Sequence, residues 1–552
     1  MKSKKLTSLA LAATMCAGLL TGCGGSGSGD SNTTPTPAAS GNTGSESTGG
    51  TTGGETTGGE ATGGETNTPA GLPAMTTENI TLTYMHFDNA VLVDYVAQKF
   101  MEKYPNIKVK TQAFETGGFN DTLMNMINAG KSPDCYMVLG NCDFGLSNGL
   151  YGDMTYYWEN DPENQNLLTS INDYKIGYFG TDKKLATPIK YFPAALYADL
   201  AVFEKLNVAA PDPTLGNWNW DALINSIKSG TSAADSIYGF NQFYTPVTFY
   251  PIANNKDCIG EFGWDGKRFN MDLWADGVNQ WAELVNSGYR APVNGTAENE
   301  AWLGDATMWA AYSGKLAWQL DAWWTYCNLF DTPDYRDKGM EWVPYATPVN
   351  GSGTCFGVLD MGAISTGTKY PREAYELLKW MGWGVEGWQA KMDAYQTMAT
   401  DDGNPLFRQA MPCPITLDKD IWTEFAQSFY PTAQARTYQS AYDPVYGVDL
   451  VTAEEDEKYG KYFDAYFATV TRPVPFGDVQ IPGFAAFIEG VYNNTVDGVG
   501  VEALVLEQGK NAQDYAAEMA QKALEYNQQA LATAKEVYAM FGIELNYEVI
   551  TQ

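Results

Sequence analysis

Apolar and polar residues alternate along Ile80-Thr81-Leu82-Thr83-Tyr84-Met85, the period-two pattern of a strand with one buried face. Leu92, Val96 and Phe100 then recur at every fourth position, which predicts a helix stopped by Tyr104-Pro105. Alternation returns at Ile107-Lys108-Val109-Lys110. Phe119, Leu123 and Ile127 set a second helical stripe, closed by Gly130-Lys131-Ser132-Pro133, and Cys135 to Leu139 reads as a short apolar strand. Strand, helix, strand, helix, strand with short loops implies parallel pairing through right-handed crossovers. In such sheets ligands sit beyond the carboxyl ends of the strands. That rule puts His86-Phe87-Asp88 and Asn141-Cys142-Asp143 on the rim a ligand would meet.

The N-terminal stretch follows neither period. Met1 to Lys5 is basic, and Leu6 to Leu20 is an apolar run too short to span a bilayer, followed by small residues: a secretory signal. Leu20-Thr21-Gly22-Cys23 resembles the lipobox of bacterial lipoproteins. The resemblance implies that residues 1–22 are removed and that Cys23 is diacylated, anchoring the chain to a membrane. From Gly24 to about Thr77 the chain is Gly, Ser, Thr, Glu and Pro, with Thr51-Thr52-Gly53-Gly54-Glu55 repeated in variant form to Glu65. That composition buries too little apolar area to offset ordering entropy, so 23–77 is expected to be a disordered tether. As a Gly-rich coil its reach is roughly 40 Å, which suits a Gram-positive cell surface.

Composition narrows the function. The length of 552 residues leaves enough chain after the tether for two large lobes. The net charge of −32 opposes nucleic acid and anionic lipid, and disfavours strongly anionic ligands such as uronates. No further apolar stretch is long enough to cross a membrane, so contact with it is expected through the anchor alone. Cys16 lies in the signal and Cys23 at the lipid site; Cys135, Cys142, Cys258, Cys327, Cys355 and Cys413 form no Cys-x-x-Cys, and His86 is the only His. No metal site is expected; the six are buried thiols or up to three disulfides. There is no Gly-x-Ser-x-Gly elbow, no Gly-rich phosphate loop and no carboxylate pair set by a motif, so neither catalysis nor a cofactor is expected. Glu454-Glu455-Asp456-Glu457 reads as solvated helix surface, and Asp401-Asp402-Gly403-Asn404 lacks the spacing of a calcium loop.

Five segments in order carry a further likeness. They are Tyr104-Pro105-Asn106-Ile107-Lys108-Val109 with Ile127 to Asp134 and Gly152-Asp153-Met154-Thr155; Pro188 with Leu196 to Leu206; Asn219-Trp220-Asp221-Ala222-Leu223; Gly314-Lys315-Leu316-Ala317 with Asp321-Ala322-Trp323; and Gly362-Ala363-Ile364-Ser365 with Lys369 to Trp380. Together they resemble the extracellular solute-binding proteins of the maltose-binding, sugar-importing type. The family's Tyr-Asn-Lys-Asp is Tyr197-Ala198-Asp199 here, and Asn219 stands where the family has Thr, a mild change because Asn also caps a helix. The likeness is good from about Ile80 to Met392, thins over Asp393 to Thr471, which looks expanded, and returns weakly near Pro482 to Asp497.

The resemblance implies an α/β, two-lobe periplasmic-binding-protein-like fold that closes about a hinge. Its expected division is 78–188 (first lobe), 189–345 (second), 346–425 (first again) and 426–552 (second again). The expected function is that of a monomeric, membrane-anchored, extracytoplasmic receptor that captures a neutral oligosaccharide and hands it to the transmembrane subunits of an ABC permease. Two alternatives stay open: a surface lipoprotein that degrades carbohydrate, and a sensor of the same fold.

Sugars are bound by aromatic rings against C–H faces and by carboxylates and amides on hydroxyls. By resemblance, Trp323 and Tyr244 are stacking aromatics, Asn141 and Asp143 hydroxyl acceptors, and Phe484 a further aromatic near the C-terminal return. Beside Trp323 stand Asp321 and Trp324, one of which faces the core. From position alone, Asp88 is a hydroxyl acceptor and His86 a rim residue; Tyr191 and Phe192 mark the first crossing, as ligand contacts or hinge packing. Trp264 is a cleft residue or a tight-turn anchor, and Asn141 and Asp143 have an Asx-turn as their plain alternative.

Overall fold

The computed structural model describes residues 71–242, 246–326, 329, 339–349, 355–400, 403, 406, 411–430, 452–471 and 480–550. Cys23, Tyr244, Cys327 and the Asp401-Asp402 pair lie outside the described residues, as do the signal and nearly all of the tether.

The alternation read from the sequence becomes β1 (Ile80–His86) and β2 (Ile107–Ala113), and the short apolar run becomes β3 (Cys135–Val138). β1 pairs in parallel with both of the others, as two right-handed crossovers require. The first crossover helix, Ala90–Lys103, is capped by Asn89, whose side chain accepts from the Leu92 N–H at 3.0 Å. It buries Leu92, Val96 and Phe100 and stops before Pro105. The helix Phe119–Asn128 buries Phe119 and Leu123. Further on, Asn219 caps the helix Trp220–Ser229 by accepting from the Ala222 N–H at 3.0 Å.

β4 (Thr187–Asp199), β5 (Tyr238–Gln242), β6 (Leu316–Ala322), β7 (Trp342–Tyr345) and β8 (Gly357–Ile364) complete the strands. The order is β2-β1-β3-β8-β4-β6-β5, with β7 also on β4. β4 is buried at all 13 positions. Its first half pairs antiparallel with β8, its second half with β6 and β7, so one strand runs through both halves of the molecule.

Two apolar cores lie either side of it, one for each lobe of the α/β fold. The first takes β1, β2, β3 and β8 with the helices Ala90–Lys103, Pro371–Met381 and Val385–Thr397; the second takes β5, β6 and the helices Trp220–Ser229 and Met271–Asn286. Beyond Pro193 the faces of β4 sort by parity: Ala194, Leu196 and Ala198 enter the second core, Ala195 and Tyr197 the first.

Two features come from the late part of the chain. The helices Lys419–Phe429 and Ala453–Val470 add Phe425, Phe429, Phe463, Tyr466 and Val470 to the first core. The acidic run Glu454–Glu457 forms the exposed first turn of the second of these, closed by a capping box between Thr452 and Glu455. The helix Gln513–Ala539, 27 residues and about 40 Å long, places Ala516, Met519 and Ala523 in the second core and Ala534 and Tyr538 in the first. Its tail is held there: the Asn546 N–H donates to Asp182 Oδ1 at 2.8 Å, and the Asp182 N–H to the Asn546 carbonyl at 2.9 Å. Cys135, Cys142, Cys258, Cys355 and Cys413 are all buried.

The return into the first lobe is fastened by buried charge. Lys379 Nζ lies 3.0 Å from Asp161, 3.3 Å from Glu163 and 3.5 Å from Glu376, while Arg372 holds Glu376 at 2.7 Å. Asp161 also accepts from the Tyr375 hydroxyl at 3.1 Å. Removing the lysine leaves a buried carboxylate without its cation, which costs more than the intact pair contributes. Lys379→Ala is therefore expected to lose about 3–5 kcal/mol of stability, read as a lower urea midpoint at unchanged slope.

Candidate functional site

Along β4 neighbouring side chains point to opposite faces, and the register with β8 sets Lys190 opposite Asp360 and Phe192 opposite Val358. Tyr191, on the other face, is fully buried, with its hydroxyl donating to the Val470 carbonyl at 3.3 Å. The face carrying Lys190 and Phe192 is where the rim of β1 and the end of β6 converge. Lys190 Nζ lies 3.3 Å from Asp88 Oδ2 and 3.4 Å from Asp360 Oδ2. It also stands 5.9 Å from the ring centroids of both Phe87 and Phe192. Trp324 meets Phe192 edge-on at 5.5 Å. The result is two aromatic rings and two carboxylates around one ammonium at the junction of the two cores, with Trp324 joined to them through Phe192.

Each group is set by its own local structure. Asp88 Oδ1 accepts from the Asn89 N–H at 2.8 Å, and the Asp88 N–H donates to His86 Nδ1 at 3.3 Å. Burial pushes the Asp88 carboxyl up, but Lys190 and the Asn89 N–H outweigh it and hold the group below the usual range. Asp360 goes the other way: burial raises it, and the shared Lys190 charge does not offset that. Burial also lowers His86, against the pull of Asp88, so its imidazole is a neutral support for the Asp88 turn. Behind the cluster the Lys391 amine is pushed down to about 7 by burial. It donates to the Gly382 carbonyl at 3.1 Å and stands 4.7 Å over the Trp388 ring.

On the second-lobe side the end of β6 is tied by a polar chain. Asp321 Oδ1 accepts from the Ala322 N–H at 2.9 Å and from Trp324 Nε1 at 3.0 Å; Oδ2 accepts from Gln319 Nε2 at 3.0 Å. Gln319 Oε1 in turn accepts from Asn241 Nδ2 on β5 at 2.9 Å. Burial pushes the Asp321 carboxyl up to about 6 against these bonds.

The residues singled out from the sequence divide sharply. Asp88 enters the cluster, with His86 buried beneath it. Trp323 does not present a face: it is 1% exposed, with Tyr326 stacked on it at 4.6 Å, Tyr466 at 5.4 Å and Phe429 edge-on at 4.9 Å. Tyr191 is fully buried on the opposite face of β4, with no surface to offer in this arrangement. Asn141 closes an Asx-turn onto the Asp143 N–H at 3.0 Å. Asp143 Oδ1 accepts from the Gly483 N–H at 2.5 Å, so it ties the first lobe to the start of the helix Phe484–Gly490. Gly483 is required there: its φ is 79°, and a Cβ would meet the Tyr526 carbonyl oxygen at 2.3 Å. Phe484 is buried in the second core against Phe262 and Phe269. Trp264 anchors a tight turn against Phe269, their rings 4.6 Å apart. Asp321 is 4% exposed and committed to its internal donors. Sequence reasoning names Phe87 as a rim residue, Trp324 as a neighbour of Trp323 and Phe192 at the first crossing, but not Lys190 or Asp360; the signal for Lys190 is its shared parity with Phe192 on the crossing strand.

The pair of carboxylates depends on one lysine. With its pKa held down, Asp88 contributes stability above its unfolded pKa that is lost as pH falls through the folded value. Lys190→Met removes that contribution and leaves two carboxylates facing each other. The variant is expected to be destabilised by about 2 kcal/mol at pH 7.5, the deficit shrinking as both carboxyls protonate toward pH 4. Thermal denaturation of variant and parent across that range checks it.

Among solved structures the fold is shared with a sugar transporter from Rhizobium etli in an open conformation, at TM-score 0.55 and 13% identity over 80% of this chain and 98% of that one. A Synechococcus sp. MITs9220 protein described as an oligosaccharide periplasmic-binding protein gives TM-score 0.53 at 15% identity, over 82% of this chain and 99% of that one. UspC of M. tuberculosis gives 0.50 at 16%, over 83% and 100%. No curated protein sequence matches the chain. Residues 88–382 match the family described as bacterial extracellular solute-binding protein, a span that begins at Asp88 and takes in β2 to β8, the Lys190 cluster apart from Phe87, and the end of β6. The chain belongs to the bacterial extracellular solute-binding proteins.

Proposed function

We propose that this chain captures a neutral saccharide between its two lobes and delivers it to the transmembrane subunits of an ABC permease. The observation that carries the reading is the cluster at the lobe junction, where Phe87, Phe192 and Trp324 surround the Asp88–Lys190–Asp360 ion pairs. Aromatic faces and partly exposed carboxylates are what a polyhydroxylated ring with apolar C–H faces needs. The solved relatives described as a sugar transporter and an oligosaccharide periplasmic-binding protein support the same class. A net charge of −32 disfavours acidic sugars.

In this reading the protein acts by binding alone, as a monomer, outside the cytoplasm. The lipobox-like Leu20-Thr21-Gly22-Cys23 supports an anchor at Cys23, with the Gly- and Thr-rich segment spacing the lobes from a Gram-positive surface. Closure follows from differential contact: a sugar that touches groups of both lobes favours the arrangement in which it touches both at once.

A thermal-shift series on residues 73–552 with neutral oligosaccharides, uronates, polyamines and peptides tests this. A neutral sugar at 100 times its Kd is expected to add about 2.7 kcal/mol to stability and to be recovered intact. A response to charged ligands alone, or cleavage of a glycan, would overturn the reading.

A further inference from the structure

We propose that residues 480–483 are a hinge crossing between the two lobes, and that Asp143 is the latch that fastens this crossing to the first lobe.

The chain changes cores here. Val470, the last residue of its helix, lies in the first core, whereas Ile481, Phe484 and Phe487 lie in the second. The helix Gln513–Ala539 makes the opposite change, with Ala523 in the second core and Ala534 in the first. The two meet at the changeover. Asn527, buried in the helix, donates from Nδ2 to the Pro482 carbonyl at 3.0 Å. A buried amide is costly unless it is bonded, and here its bond holds the crossing against the helix. Next to it the chain turns through the positive φ of Gly483, at the head of the helix Phe484–Gly490.

Two single bonds tie the crossing to the first lobe. Gln480 Oε1 accepts from the Gly177 N–H at 2.7 Å. The Gly177 carbonyl in turn accepts from the Leu185 and Ala186 N–H groups at 2.9 and 3.1 Å, immediately before β4 begins, so this bond reaches the turn that feeds the shared strand. The second bond is the one from the Gly483 N–H to Asp143, which opens the short helix Asp143–Ser147 just past β3. Leu146 of that helix, and Cys142 before it, are in the first core.

Asp143 is an uneconomical choice for stability alone. Burial raises its carboxyl, and the Gly483 and Ala485 N–H groups pull it down without cancelling the effect. Its printed donors come from the other lobe, so the carboxylate is satisfied only while the crossing stays in place. Hinges absorb rotation at a few residues at the ends of elements. Residues 480–483 fit that description: a short run beside a helix start, ending in Gly and held by separate bonds, not by a ladder. Rotation about β4 strains the Asp143 and Gly177 bonds before it strains the strand, so these two bonds set how readily the lobes move.

Amide hydrogen exchange and small-angle scattering on the chain from Gly24 onward, without ligand, test this. In Asp143→Ala the Gly483 amide is expected to exchange about tenfold faster or more, as loss of a charged acceptor implies. The Gly177 amide, which bonds Gln480 and not Asp143, is expected to follow it. The Gly152 N–H, which donates to the Ile364 carbonyl within the first lobe, should not change. The radius of gyration should depart from that of the parent. Asp143→Asn keeps an acceptor oxygen and should restore the exchange and the radius. Gln480→Leu cuts the other bond and should release Gly483 in turn, which carries the test if Asp143→Ala does not fold. Faster exchange at Gly483 alone, or an unchanged radius, makes Asp143 a local cap and overturns the hinge. No sugar enters the experiment, so its failure leaves the saccharide reading standing, and failure of that reading leaves the hinge standing.

Discussion

Everything else in the molecule depends on one strand being shared. β4 is bonded to β8 along its first half and to β6 and β7 along its second, and it is buried at every one of its 13 positions. A strand held on both sides cannot slip by a residue without exchanging its two faces. Here that exchange would put Tyr191 where Lys190 stands, and would swap Ala194, Leu196 and Ala198 out of the second core. The register that builds two cores is therefore the same register that presents Lys190 and Phe192 to the lobe junction. Asp88 and Asp360 find their cation because β4 delivers it.

Much of this architecture was legible in the sequence because it is local. Alternation marked β1 and β2, four-residue spacing marked the helix Ala90–Lys103, and Asn219 capped its helix as its side chain chemistry dictates. The late elements were less legible for a definite reason. Periodicity tells which face of a helix is apolar, never which core will cover it. The helix Gln513–Ala539 carries one apolar stripe, yet Met519 meets the second core and Tyr538 the first. The Tyr538 hydroxyl accepts from the Tyr151 N–H at 3.1 Å, 387 residues earlier in the chain, and no short-range pattern encodes a pairing of that separation.

The candidate site was legible in place and less so in person. The strand-end rule put Asp88 just past the carboxyl end of β1, where it meets Lys190, because the end of a parallel strand is a matter of topology. It also located Asn141 and Asp143 at a strand end, where their side chains proved to be spent on backbone: one on an Asx-turn, the other on the N–H of Gly483. Trp323 and Trp324 show the sharper limit. Adjacent residues in a turn must diverge, and which one is buried was decided by Phe425, Phe429 and Tyr466, residues brought in by the expanded segment more than 100 positions downstream. A single chain read alone carries no signal for that choice.

The arrangement also constrains how the lobes can move. Among the described residues the ties that span them include β4, the helix Ala453–Val470, the helix Gln513–Ala539 with its tail on Asp182, and the bonds from the Gly483 N–H to Asp143 and from the Gly177 N–H to Gln480 at 2.7 Å. Motion that respects the strand must turn about it, so Lys190 and Phe192 lie on the axis and are displaced least. Phe87 and Trp324 both pack against the first core, and Trp324 is also fastened through Asp321 to β6, whose Trp318 and Leu320 lie in the second. A ligand shifts a two-state molecule only by the difference in its contact with the two arrangements. In the saccharide reading proposed above, that difference has to arise from groups that change neighbours between arrangements, rather than from Asp88, Lys190 and Asp360, which the strands hold together.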